Sequence, residues 1–267
     1  MAAIYELTDP QWTLVADLFD PPSRRGAPAR VSRRQMVEAM LFLARTGCQW
    51  RYLPERYGSW GAVWQQWRRW RANGVWARAM TRLASKIRTD HNRSASPSMV
   101  MIDAQTVRGG RAGPTFHDQR GYRGRTIGTK RSILVEILGL PIAARVDSAR
   151  PHDVAAGRTL LRDNLDDLPG VLAVIGDRGY QGLRALTDRR WILLDIKAPA
   201  KAVPGAAPLP TRKGKGTFTP IAPLWRVERA FAELGRWRRL SRCFEGSEAS
   251  AKAWLQVASF GYMLGRL

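Results

Sequence analysis

Met-Ile-Asp-Ala-Gln-Thr-Val, residues 101–107, decides how this chain is read. The apolar run Val100-Met101-Ile102 has the composition of a buried strand, and Asp103 stands at its end. The arrangement recurs where Val171-Leu172-Ala173-Val174-Ile175 leads through Gly176 to Asp177. A third carboxylate, Glu228, lies in a stretch of helical periodicity from Leu224 to Leu240, among arginines. Carboxylates gathered from distant points of a chain can hold hard divalent cations. Taken singly, each has a plainer explanation, because an Asp after an apolar strand often serves only as a turn former or cap. Glu233 and Glu245 compete with Glu228, although Glu233, five residues on, is rotated well away on a helix. Asp147, Asp153 and Asp195 read as ordinary strand-end or capping groups.

The surroundings of these carboxylates are strongly basic. The 267 residues carry 44 Lys and Arg against 22 Asp and Glu, a net charge of +22, so a polyanion such as DNA or RNA is the first partner to expect. An anionic membrane surface is the second. At 45% hydrophobic residues the chain is globular and long enough for two units with cores of their own. No apolar stretch approaches the roughly 20 residues that span a bilayer, and the first residues lack the basic and apolar regions of a signal peptide. The expected location is therefore cytoplasmic, in association with the nucleoid. Cys48 and Cys243 form no CxxC pair, and His91, His117 and His152 share no metal-ligand spacing.

Residues 1–95 read as helices. Thr8-Asp9-Pro10 starts the first, Ser32 caps the second and Gly47 ends it, Ser59 caps the third, and Asn73-Gly74 separates it from a fourth over 75–87. Arg68, Arg69 and Arg71 lie on the third helix. Helix, turn and helix with a basic face is a DNA-binding pattern, and sixteen Lys and Arg stand against seven Asp and Glu here. This all-α, helix-turn-helix-like region, 1–95, is expected to fold by itself and to bind DNA ends. After a polar stretch the periodicity changes, with strand-like runs at 99–103, 132–138, 142–147, 171–176 and 191–196. Helical segments fall at 153–165, 180–189, 224–240 and 247–264. The first three strands have no helix between them and should pair as antiparallel neighbours; helices alternate with the rest. The order β-β-β-α-β-α-β-α predicts an α/β unit over 98–267, a mixed five-stranded sheet with flanking helices of the ribonuclease-H-like kind. Asp103 and Asp177 then sit at strand ends, where ligands bind. Two long polar segments, 108–130 and 198–220, interrupt this unit. The second is expected to be a mobile loop that orders on DNA through Arg212, Lys213 and Lys215.

The chain resembles bacterial insertion-sequence transposases of the DDE (ribonuclease-H-like) superfamily over nearly its whole length. The resemblance is carried by Leu-Thr-Asp-Pro-Gln-Trp (7–12), Arg-Thr-Gly-Cys-Gln-Trp-Arg-Tyr-Leu-Pro (45–54) and Gly-Val-Trp (74–76). In the second unit it rests on Ile-Asp-Ala-Gln-Thr-Val (102–107), Asp-Arg-Gly-Tyr (177–180) and Val-Glu-Arg-Ala-Phe-Ala-Glu-Leu-Gly-Arg-Trp-Arg-Arg-Leu-Ser (227–241). It implies a catalytic and metal-binding triad of Asp103, Asp177 and Glu228. Asp103 would bridge two Mg²⁺ ions, for which Mn²⁺ substitutes, while Asp177 and Glu228 each complete one. It further implies double-stranded DNA, as inverted-repeat ends and as target, for substrate, and a homodimer on that DNA. Water would first free a 3′-hydroxyl at the element end, and that hydroxyl would then attack target DNA. The family often has an Arg four residues before the Glu. Here that position is Leu224, so Arg226 or Arg229 would contact phosphate instead. The family's Lys-Arg-His run is Lys130-Arg131-Ser132. Lys130, Arg226, Arg229 and Arg236 join the arginines of the third helix as expected DNA contacts. Two other classes stay open: a DNA-binding relic without activity, and a metal-dependent nuclease on the same fold.

Overall fold

Four helices come first in the computed structural model, which describes residues 6–20, 31–110, 116, 127–198 and 222–267. They are α1 (Asp9–Phe19), α2 (Arg33–Thr46), α3 (Trp60–Ala72) and α4 (Val75–Asp90). Their limits follow from local chemistry. Thr8 and Gln11 form a reciprocal capping box ahead of α1. Ser32 accepts from the Gln35 N–H at the start of α2. Gly47 closes α2 at φ +71°, a left-handed turn that a glycine adopts without steric cost. Only Asn73 and Gly74 separate α3 from α4.

The sheet contains β1 (Met99–Arg108), β2 (Gly128–Glu136), β3 (Pro141–Ser148), β4 (Ala173–Gly176) and β5 (Leu193–Ile196) in the order β3-β2-β1-β4-β5. β2 is antiparallel to β1 and β3, whereas β1, β4 and β5 run parallel. Helix α5 (Asp153–Asn164) connects β3 to β4, and α6 (Arg184–Asp188) leads into β5. Helices α7 (Trp225–Gly235) and α8 (Glu248–Leu264) complete the chain. This is the mixed, ribonuclease-H-like sheet with flanking helices that the element order predicts. Among the described residues no helix is long and apolar enough to cross a membrane.

Four details differ from the sequence reading. β1 does not stop at Asp103: it continues to Arg108, because Ala104 to Arg108 pair with Ser132 to Gly128 of β2. Asp103 is thus an internal position of a central strand. β2 accordingly begins at Gly128 rather than 132. The expected helix at 180–189 is a 3₁₀ turn, Arg178–Leu183, followed by the five residues of α6. The expected helix at 224–240 ends at Gly235. Trp237 leaves the helical region at ψ 103°, and a separate 3₁₀ turn covers Arg238–Leu240. The expected loop contacts from Arg212, Lys213 and Lys215 fall outside the described residues.

The helical region and the sheet share one hydrophobic core. Its centre is α8, which buries 13 of its 17 residues. A helix apolar all round must be covered all round, and α8 lies against α2, α3 and α4 on one side and β3 on the other. Phe260 touches Phe19 and Trp76, with ring centroids 5.8 and 5.6 Å apart, and Trp254 stacks on Trp67 at 5.3 Å. A buried ion pair adds a second link. Arg88 of α4 pairs with Glu136 at the end of β2, with side chains 5% and 0% exposed. Arg88 also donates to the Ser94 and Ser96 carbonyls, and Glu136 accepts from the N–H groups of Leu138 and Leu140.

Two outcomes follow from this shared core. A fragment ending at residue 95 would uncover Phe19, Trp67 and Trp76. It is expected to lack a cooperative thermal transition, in contrast to the self-sufficient unit that composition suggests. Glu136→Ala leaves the Arg88 guanidinium buried without a counter-charge and should destabilise the protein by about 3–5 kcal/mol. Denaturant unfolding measures it, and Arg88→Met in the same chain should restore part of the loss.

Candidate active site

Asp103 is held by the strand itself. It is paired with Ile133 of β2, and the residues up to Met101 before it are paired with β4 on the other side. Its Oδ1 accepts from the Ala104 N–H at 2.8 Å. Burial pushes the Asp103 carboxyl up to about 7, against the pull of that N–H. The negative charges of Asp177, Asp153 and Glu228 push it further in the same direction. Those three groups come from three other elements and lie near enough for their charges to act on it.

Asp177 follows β4 directly and caps the 3₁₀ turn, its Oδ1 accepting from the Gly179 N–H at 2.8 Å. The glycine matters there, since a Cβ at 179 would stand 2.9 Å from that oxygen. Glu228 lies in the first turn of α7, which packs on β1 and β2. It is exposed, and partial burial raises its carboxyl modestly. Among the described residues, no Lys, Arg or His is ion-paired with Asp103, Asp177 or Glu228. Nor do any three of His, Cys, Asp and Glu among them stand close enough, as the side chains lie, to share one metal ion. Asp177 and Glu228 thus act electrostatically on the buried Asp103 carboxyl, and the three side chains as they lie do not close into a cage. Like charges with no cation between them repel. Their hard oxygen donors and lack of protein counter-charge fit a divalent cation.

The expected basic residues divide into two groups. Arg68, Arg69, Arg229 and Arg236 are exposed, and Arg71 and Arg226 are half-buried. Arg68 lies over Trp64 at 4.9 Å, Arg71 over Trp67 at 5.0 Å and Arg226 over Trp225 at 4.8 Å. Arg236 pairs with Glu233 at 3.2 Å but keeps most of its side chain in solvent. Lys130 is different. Its side chain is 6% exposed and its amine pairs with Asp153, so in this conformation it meets a carboxylate rather than solvent.

Three contributors escaped the sequence reading. Asp153, taken there as a cap, is the Lys130 partner and one of the charges acting on Asp103. Tyr180 is buried in a slot between Gly157 of α5 and Gly176 of β4. A Cβ at either glycine would come within 3.0 Å of its side chain. Its hydroxyl has no hydrogen-bond partner among the described residues, and burial, aided by Asp103, Asp153 and Asp177, raises it far above an ordinary phenol. Arg131 is buried and donates to the Leu240 carbonyl at 2.6 Å, tying the turn after α7 to the sheet. Burial lowers its guanidinium to about 10. Only the positions of Lys130, Arg131 and Tyr180 within the quoted motifs could have pointed to these residues.

Comparison with known proteins agrees with this architecture. The family described as "Putative transposase of IS4/5 family" matches residues 7–80, and the family described as "Transposase DDE domain" matches residues 94–193. The second match contains Asp103 and Asp177, and Glu228 lies beyond it. The chain is 35% identical over 117 residues to the insertion element IS402 uncharacterized 16.2 kDa protein of Burkholderia cepacia, covering 40% of this chain and 76% of that protein. It is 32% identical over 102 residues to the uncharacterized protein y4sN of Sinorhizobium fredii, covering 38% of this chain and 75% of that one. No solved structure matches. With a mixed sheet that carries Asp103 and Asp177 and with family matches on both its regions, the chain belongs to the insertion-element transposases of the IS4/5 family, of the DDE type.

Proposed function

We propose that this chain binds the inverted-repeat ends of an insertion element, cuts to free a 3′-hydroxyl and joins that hydroxyl to target DNA. The observation that supports the reading is a buried Asp103 with no cationic partner among the described residues, on which the charges of Asp177 and Glu228 act, in a chain of net charge +22. Asp103, Asp177 and Glu228 would hold Mg²⁺, or Mn²⁺ in its place. When bound, such ions activate the attacking oxygen and stabilise the leaving one. The chain's own residues supply the frame. β1 carries Asp103, the turn at Gly179 orients Asp177, and α7, packed on β1 and β2, carries Glu228 in its first turn. Arg229 and Arg226, beside Glu228, would meet the phosphates of the scissile strand in place of the arginine that Leu224 replaces. Arg68, Arg69, Arg71 and Arg236 would neutralise phosphates of the flanking duplex, with Lys130 held beneath the site by Asp153. Two ends must be joined, so two protomers would meet on the paired ends, although the free chain need not dimerise. A nuclease on this fold would cut without joining, and a strand-transfer product separates the two.

Asp103→Asn, Asp177→Asn and Glu228→Gln should each abolish cutting and strand transfer while leaving DNA affinity near normal, since affinity comes mostly from basic residues. Gel assays with end-containing DNA and Mg²⁺ test this. A mutant that still joins ends at near the normal rate would show that its carboxylate is no ligand. Glu233→Gln is the control: it removes only the half-exposed pair with Arg236, so it should cost no more than about 1 kcal/mol of stability and leave cutting and strand transfer intact.

Asp103 also predicts a pH dependence. In the folded protein it keeps its proton up to about 7, against 3.8 for an ordinary Asp. The folded state thus binds the proton more tightly than the unfolded chain. The stability this supplies is complete below about pH 4 and is lost as the pH rises towards about 7, beyond which it stays flat. Without metal, the melting temperature should fall across that window. Mg²⁺ should raise it above the window and not below. Asp103→Asn should flatten the profile and remove the Mg²⁺ response; an unchanged profile in this mutant would assign the dependence to another group.

A further inference from the structure

The basic residues of the two regions adjoin in the fold although the sequence separates them by almost two hundred positions. The turn at Gly47 lies directly on the segment after α7, where a Cβ at 47 would stand 3.1 Å from the Arg238 Cβ. Arg45 Nη1 donates to the Arg236 carbonyl at 3.1 Å, and Arg239 Nη1 donates to the Cys48 carbonyl at 3.3 Å. Arg239 lies over Trp254 at 4.2 Å and Trp50 at 5.9 Å, and its charge is met by Glu245 at 2.7 Å. That arginine is occupied in structure. Trp50 in turn touches Trp67 of α3, with ring centroids 5.8 Å apart. The 3₁₀ turn Trp50–Tyr52 therefore bridges α3 and the turn Arg238–Leu240.

Arg51, Arg238 and Arg242 are left on the outside of this junction. All three are exposed and have no carboxylate partner among the described residues. Tyr52 is 72% exposed beside Arg51. Arg236 joins them from the end of α7, its side chain 68% exposed. It stands eight residues from Glu228, roughly 12 Å along the helix at about 1.5 Å per residue. That distance spans three or four phosphates of one DNA strand, at about 3.4 Å each.

We propose that Arg51, Arg238 and Arg242, with Tyr52 and Arg236, form a shelf for the phosphate backbone of the duplex that leads from the arginines of α3 to the carboxylate site. The proposal rests on the transposase reading for the identity of that duplex. The shelf occupies the space between two basic surfaces that the sequence presents as separate. Because Arg45, Arg239 and the tryptophans lock its two halves together, it holds the duplex at a fixed distance from Glu228. It touches only the DNA backbone, so it grips every sequence alike.

The test compares the triple variant Arg51→Ala, Arg238→Ala, Arg242→Ala with an equal-charge control, Arg93→Ala, Arg162→Ala, Arg189→Ala. Equilibrium binding of a random-sequence linear DNA duplex is measured across a range of KCl concentrations, without divalent cations. In the shelf variant the slope of log K against log[KCl] should become shallower by about 0.9 for each phosphate no longer neutralised. In the control it should stay at the wild-type value. Equal slopes for the two variants would overturn the shelf. If the triple variant fails to melt cooperatively, the single changes Arg51→Gln, Arg238→Gln and Arg242→Gln carry the same comparison, each with about one third of the effect. The readout contains no cutting step. Failure of the wild-type protein to cut in Mg²⁺ would remove the transposase chemistry and leave the shelf, whereas an unchanged slope removes the shelf and leaves the chemistry.

Discussion

A helix that is apolar on every side exists in water only between other layers, and α8 imposes that condition on the whole molecule. Its buried face towards α2, α3 and α4 is aromatic, with Trp254 and Phe260 among Trp67, Trp76 and Phe19. Gly261 lets the Trp237 ring approach so closely that a Cβ would stand 2.1 Å from it. Trp237 is the residue at which the chain leaves α7. The helix that carries Glu228 is therefore anchored at its far end by the helix that anchors the N-terminal region. The N-terminal helices and the helix carrying Glu228 are braced by one element.

The buried charges act in the same direction. Arg88 and Glu136 gain little net stability from their attraction, because both lose water. Once buried, however, each depends on the other and on four backbone groups, all of which the present docking of α4 on the sheet supplies. Arg131 does the same for the turn after α7. Its guanidinium is buried enough to weaken its hold on its proton, and its donation to the Leu240 carbonyl is part of what offsets that cost. Packing supplies the cohesion, and these polar links select one arrangement.

Much of this was legible in the chain because the signals are local. Thr8, Ser32, Gly47 and Asn73-Gly74 mark helix limits by capping and turn chemistry that needs no tertiary context. The apolar runs before Asp103 and Asp177 mark β1 and β4, and the absence of a helix between the first three strands gives their antiparallel pairing. What was not legible depends on pairing partners. The strand-like run read from the sequence stops at 103, since the strand character of Ala104 to Arg108 comes from β2 across the ladder. Gly235 ends α7 early because Trp237 must turn into α8, a demand set 24 residues later. Asp153 looks like any cap until Lys130 is placed beside it. The division at about residue 95 is plain in the composition, but the sharing of one core across it is not, because an amphipathic helix does not reveal what covers it.

The charge of the chain and the charge of its site pull in opposite directions, and this opposition gives the arrangement its logic. A surface of net charge +22 draws in a polyanion over a Debye length or more. The carboxyls of Asp103, Asp177 and Glu228 have no cationic partner among the described residues, so a phosphate brought to them by that field meets like charge. The two can occupy one place only with a cation between them. Without one, burial first and the neighbouring carboxylates second hold the Asp103 proton up to about 7. On the proposed chemistry, proton, metal ion and substrate phosphate are therefore linked at a single carboxyl. On the same reading the exposed arginines would deliver the backbone, while the pairing of Asp103 with Ile133 of β2 places its carboxyl on the central strand.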